Sequence, residues 1–259
     1  IQPALALTLH SRHDSEIAPP RWSKAEQHCL RQAKLLRVGL LEQDYRPFSM
    51  IVSQSRFEGI SADYLGILAK MLHKPLALRP FADKESALLA LRRGEIDLVN
   101  LGNLTLADTE ASGIRLSRPY FSSPLVFSAP KPHQGHLLTP GQRVAAVKGQ
   151  IDAQRFRLYY PTLTLVTHPS NAEAFDAVFF GSQEILLSDA HAMHYLNSER
   201  FDHLRQRGEA PPSLAPADFR FALSTRVPAL LGLINHGLDA IDEGTRNAIF
   251  SQWNGPIRD

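Results

Sequence analysis

Twice along this chain, short apolar runs alternate with amphipathic stretches in the order strand, helix, strand, helix, strand. In the first round, LRVGLL (36–41) has the pattern of a buried strand. SADYLGILAKMLHK (61–74) then sets Tyr64, Leu65, Leu68, Met71 and Leu72 on one face at helical spacing. LALRPF (76–81) returns as a strand, and DKESALLALRRG (83–94) reads as a helix capped by Asp83 and closed by Gly94. EIDLVN (95–100) completes the round. The second round runs through RVAAVKG (143–149), a helix opening at Asp152, LTLVTH (163–168), a helix capped by Ser170 or Asn171, and QEILLS (183–188). Strand–helix–strand units make parallel sheets with helices on their faces. Two rounds therefore predict an α/β chain of two lobes with a cleft between them. The extended segments PYFSSPLVFSAP (119–130) and DFRFALST (218–225) fit a pair of strands crossing between the lobes, with two C-terminal helices returning to the first.

Composition narrows the class. The chain has 259 residues and 44% hydrophobic content, enough for two cores. A net charge of +2 with no dense basic stripe argues against nucleic acid as a partner. No apolar run approaches the roughly 18–20 residues of a membrane-spanning helix, and no signal peptide opens the chain. The first residue is Ile1 rather than Met, so a fragment or a processed product is expected. Cys29 is the single cysteine, which leaves no internal disulfide and no cysteine metal cluster.

Several motifs occur in order along these elements: LRVGLLEQDYRPFSM and FEGISADYL, then ALRRGEIDLV, LSRPYFSSPLVF, VAAVKGQ and the closing QWNG. Together they resemble the bacterial extracellular solute-binding domains of the type 2, Venus-flytrap class, over about residues 35–257. RWSKAEQHCLRQAKLLRVGL (21–40) is similar to the helical linker that leads into such domains in BvgS-type sensor histidine kinases. The resemblance implies a two-lobed periplasmic-binding-protein fold, each lobe a mixed, mostly parallel sheet flanked by helices, joined by two crossing strands. Residues 1–34 would form an arm and linker helix, 35–124 with 219–259 the first lobe, and 125–218 the second. It further implies the periplasmic sensory domain of a membrane-bound two-component kinase that signals by lobe opening and closure. Its partners would be a small molecule in the cleft, neighbouring flytrap and membrane-proximal domains of the same chain, and a second copy in a homodimer. Closure would move the C-terminal helix relative to the N-terminal arm.

The resemblance also assigns pocket positions. Tyr45 and Phe48 match the aromatic motif that flanks the ligand in the first lobe, although Phe48 equally suits a core position beneath its loop. Asn103 and Thr105 match the polar loop after the third strand, where a ligand carboxylate is met. The arginine that clamps this carboxylate in amino-acid binders corresponds to Glu110, so the charge is reversed; Glu110 reads equally as an ordinary solvated carboxylate. In the second lobe the small hydroxyl residues that cradle the anion are replaced by Gln150, Ile151 and Asp152. Asp152 would itself compete for the helix terminus. Asp189 stands where the family keeps the acid that receives the ligand's amino group, and it also fits an N-cap for the helix that follows. With two acids around it, the pocket is not expected to take a standard α-amino acid; Arg46 and Lys148 beside the pocket loops leave an anionic ligand open.

The remaining constellations carry less. His191 and His194 lie three apart on one helix, but no further metal ligand is indicated. There is no nucleophile elbow, phosphate loop or zinc-protease motif, so no catalytic residue, metal or cofactor is expected. Two rival readings are a free-standing periplasmic receptor of a transporter and a dehydratase-like enzyme on the same fold.

Overall fold

The structure, a computed structural model, describes residues 6–107, 112–131 and 138–254. Its first sheet contains β2 (Leu36–Leu41), β5 (Leu76–Phe81), β6 (Leu98–Gly102), β7 (Ile114–Leu116) and β14 (Asp218–Ser224) in the order β5-β2-β6-β14-β7. β2 is parallel to β5 and β6, whereas β14 runs antiparallel to β6 and β7. The second sheet has the order β11 (Thr164–His168), β10 (Arg143–Val147), β12 (Ile185–Asp189), β9 (Leu125–Pro130) and β13 (Leu204–Glu209). There β10 is parallel to β11 and β12, and β9 is antiparallel to β12 and β13. The sheets are linked where β8 (Phe121–Ser122) pairs with β14, setting Phe121 opposite Phe219 and Ser122 opposite Asp218. This is the two-lobed α/β architecture with paired crossing strands.

Local chemistry explains where the helices begin. Asp83 caps α3 (Lys84–Arg92) by accepting from the Ser86 amide at 2.7 Å, and Gly94 ends that turn at φ +73°. Asp152 caps α4 (Ala153–Tyr159) through the amides of Gln154 and Arg155. Ser170, not Asn171, caps α5 (Asn171–Phe179). Asp189 caps α6 (Ala190–Glu199).

The helix α2 (Ile60–Leu72) is buried from Ile60 through Leu68 and not on one face alone. Its outer side is covered by the N-terminal arm. β1 (Thr8–Leu9) in that arm pairs with β4 (Arg56–Glu58), which pairs in turn with β3 (Met50–Val52). A Cβ on Gly66 would sit 3.1 Å from the Ser11 Cβ and 3.2 Å from a Leu9 methyl, so glycine permits the arm's close approach. Behind the arm, α1 (Lys24–Gln32) carries a Ser23/Glu26 capping box and packs on α7 (Pro228–Ala240). α8 (Glu243–Gln252) returns onto α2.

One apolar core joins Leu40, Phe48 and Phe219 of the first lobe with Val147, Phe175 and Leu186 of the second. Each sheet has a separate core on its other face, around Phe156 and Leu187 in one case and Leu88 and Val99 in the other. A core continuous across the cleft is the packing signature of closed lobes.

Candidate functional site

At the centre of the cleft a tyrosine from the first lobe reaches into the second. The Tyr45 hydroxyl donates to Asp189 Oδ2 at 2.5 Å and accepts from Gln150 Nε2 at 2.6 Å. Asp189 ends β12, so the parallel sheet aims its carboxylate at the cleft while its Oδ1 accepts from the Ala192 amide at 2.8 Å and the Ser123 hydroxyl at 3.0 Å. Both Asp189 and Gln150 have no solvent exposure. Burial pushes the Asp189 carboxyl above its ordinary range. Burial and the adjacent Asp189 hold the Tyr45 phenol far above its own, so the proton stays on the phenol.

Further bonds between the protein's own groups flank this centre. Thr105 donates to the Gly149 carbonyl from its amide at 3.0 Å and from its hydroxyl at 2.8 Å. Gln43 Nε2 donates to the Pro169 carbonyl at 2.8 Å and to that of Lys148 at 3.3 Å. Asn171, released from capping, accepts from the Arg46 amide at 3.1 Å and donates to the Arg46 carbonyl at 2.5 Å. The Arg46 guanidinium turns back onto Asp44 at 3.2 Å.

Beside Tyr45 the first lobe keeps a cavity of about 30 Å³, lined by Tyr45, Phe48, Ser61, Asn100, Asn103 and Phe219 among others, and at the rim of the cleft a recess of about 570 Å³ opens between Lys84, Thr105 and Leu106 of the first lobe and Asp152, Arg155 and Ser213 of the second. The inner cavity has room for one or two waters, not for a ligand of the size that fills ordinary pockets of roughly 300 Å³ or more. Two buried polar atoms in this region, Asn103 Nδ2 and Gln150 Oε1, have no hydrogen-bond partner.

The structure brings Tyr45, Asn103, Thr105, Gln150 and Asp189 together around the closed cleft. Phe48 is 1% exposed and stacks on Phe219 with centroids 3.9 Å apart, so most of its ring is core while one edge lines the cavity. Glu110 lies outside the described residues. Ile151 belongs to the core of the second lobe, and Asp152 occupies the helix terminus that an anion would use. His191 is buried, 7% exposed, and among the described residues it holds no metal-ligand geometry with His194. Its ring lies among Phe48, Phe121 and Phe250 at 5.7, 5.3 and 4.9 Å. Ser123, Gln43 and Asn171 contribute contacts that the sequence did not assign to the pocket: Gln43 and Ser123 lie inside the quoted motifs without a role there, and only the doubled N-cap candidate Ser170-Asn171 hinted that one of the two had another task.

Architecture and site together define a two-lobed solute-binding type of fold whose lobes are joined by the protein's own side chains. The family model of bacterial extracellular solute-binding proteins, family 3, matches residues 36–256, and the chain belongs to that family. It is 29% identical over 226 residues to the virulence sensor protein BvgS of Bordetella pertussis, covering 86% of this chain and 18% of that protein. It is 23% identical over 248 residues to the sensor protein EvgS of Escherichia coli K12, covering 95% of this chain and 20% of that protein. The crystal structure of the B. pertussis BvgS periplasmic domain superposes with a TM-score of 0.80 at 26% identity, covering 96% of this chain and 48% of that one. The chain thus spans about a fifth of the length of the curated relatives it matches.

Proposed function

We propose that this chain is the periplasmic sensory domain of a membrane-bound two-component sensor kinase, and that it signals through the state of a cleft which closes without solute. Its lobes are residues 35–124 with 219–259, and 125–218, preceded by the arm of residues 1–34. In the parent protein it would work beside other domains of the same chain and as a homodimer. The observation that carries this reading is the set of cross-lobe hydrogen bonds in which the protein's own groups take the polar centre of the cleft, Tyr45 to Asp189, Thr105 to Gly149 and Gln43 to Pro169. A receptor that delivers cargo must hold that cargo, and here Tyr45 itself takes Asp189, the acid that would receive an amino acid's ammonium group. A sensor needs only two lobe arrangements of different stability. A dehydratase-like enzyme would likewise need the polar centre that Tyr45 takes.

The test locks the lobes in the full-length parent protein. Arg46→Cys with Asn171→Cys, in a Cys29→Ser background, places a disulfide across the cleft. Oxidised, the variant is expected to hold kinase output at one level under conditions that switch the wild type, and reduction is expected to restore switching. A locked variant that switches like the wild type would sink the proposal.

A further inference from the structure

We infer that Tyr45 is a built-in ligand of this cleft: its phenol takes the polar centre of the closed site and holds the lobes together as a bound solute would. The inference rests on the reading of the chain as a self-closing sensor domain and names what does the closing.

Tyr45 belongs to the first lobe by its backbone, which bridges to Ser49. Its ring leans on Phe48 and Phe219 in tilted contacts, with centroids 5.9 and 6.3 Å away. Its hydroxyl, however, bonds two fully buried groups of the second lobe, Asp189 Oδ2 and Gln150 Nε2. The phenol matches both partners, giving its proton to a carboxylate and its lone pair to an amide. Asp189 Oδ1 is already taken by Ser123 and the Ala192 amide, so Oδ2 is the oxygen that faces the cleft. Withdrawing the phenol would strand that oxygen and the Gln150 amide beside Gln150 Oε1 and Asn103 Nδ2, which have no partner as it is. Buried groups left so are costly, and closure without Tyr45 therefore requires a substitute. The substitute must donate to a carboxylate, accept from an amide and present an aromatic body to Phe48 and Phe219. The chemical class is a phenol. Removing the Tyr45 side chain turns the cleft into a phenol-binding site that the wild type does not offer.

Two backbone amides report opening directly, because Thr105 N donates to Gly149 O and Arg46 N to Asn171 Oδ1 across the cleft. Their hydrogen-exchange rates measure the opened fraction. The Val99 amide inside the first sheet controls for global unfolding. Tyr45→Phe keeps the ring and loses the hydroxyl, and is expected to speed exchange of both reporters about tenfold or more with Val99 unchanged. Tyr45→Ala is expected to exchange faster still, and millimolar p-cresol to return it toward the wild-type rate. Toluene, which has the ring without the hydroxyl, is expected not to do so, and p-cresol is expected to leave the wild type unaffected. Unchanged reporter exchange in Tyr45→Phe would overturn the inference, as would equal rescue by toluene. Should Tyr45→Ala fail to fold, Tyr45→Phe decides alone. If the locked kinase loses switching while Tyr45→Phe exchanges like the wild type, the sensor reading stands and the built-in ligand falls. The converse pattern sinks the sensor reading and keeps the ligand.

Discussion

His191 joins the two lobes by burial where Tyr45 joins them by hydrogen bonding. It sits in the first turn of α6 of the second lobe, yet its ring lies among Phe48, Phe121 and Phe250, and it is 7% exposed. Burial, reinforced by His194, pulls its pKa down from 6.5 to about 4, partly offset by a hydrogen bond to the Trp253 backbone. Between those values the unfolded chain binds a proton that the folded one refuses, so stability is lost as pH falls from 6.5 toward 4. Asp189 works in the opposite sense. Its carboxyl is raised from 3.8, so its contribution is greatest below that value and is lost as pH rises through the folded pKa. Replacing His191 isolates the first effect. His191→Phe keeps an aromatic ring in the aromatic cage and removes the titration. Comparing urea unfolding at pH 7 and pH 4.5, the variant is expected to lose about 2–3 kcal/mol less than the wild type. Equal losses in both proteins would show that the ring is not neutral in the folded state.

At the scale of elements, what could be read from the sequence divides by burial. The strands of both parallel layers and the helices between them follow apolar runs and caps, because each buries a patterned face; Asp83, Asp152 and Asp189 cap the helices they precede. β13, with sequence LRQRGE, is an edge strand exposed over most of its length, so no apolar alternation marks it. β1 is two residues long and exists because β4 offers a pairing edge. Tyr45 and Asp189 each stood out through family motifs, but their bond spans 144 residues and depends on closure, which neither motif encodes. The arm contains a further unmarked element, a junction at the buried Asp63. That carboxylate accepts from the Ser11 hydroxyl at 3.1 Å, the Arg12 amide at 2.8 Å and Trp253 Nε1 at 2.7 Å. Asp63→Asn keeps the shape but turns one acceptor into a donor facing donors. It is expected to cost about 1–3 kcal/mol and to raise hydrogen exchange in residues 8–13 and 250–253, leaving the second sheet protected. Unchanged protection of the arm would show that β1 alone holds it.

Across the whole molecule, this junction decides how closure can be read out. The sequence suggested that closure moves the C-terminal helix relative to the N-terminal arm. The structure instead binds them to each other: Arg12 lies 4.2 Å over the Trp253 ring, and Gln252 Nε2 donates to the Arg12 carbonyl at 2.8 Å. Both are tied to Asp63 on α2, so arm and helix form one body with the first lobe. At α8 the second lobe meets that body through the His191 ring, 4.9 Å from Phe250, which also stacks near Phe121 of the crossing strand at 6.1 Å. Opening would draw His191 away from Phe250 and from the Trp253 backbone while the Trp253 indole stays anchored on Asp63, so the end of α8 would sense the second lobe through His191. Phe250 is 40% exposed, so truncating it disturbs the core little. In the full-length parent protein, if it is the kinase proposed above, Phe250→Ala is therefore expected to leave cleft closure intact, with Thr105 amide exchange at the wild-type rate, yet to abolish the change in output that Tyr45→Phe produces. If the double variant Tyr45→Phe with Phe250→Ala shifts output as far as Tyr45→Phe alone, the signal leaves the domain by another route than α8.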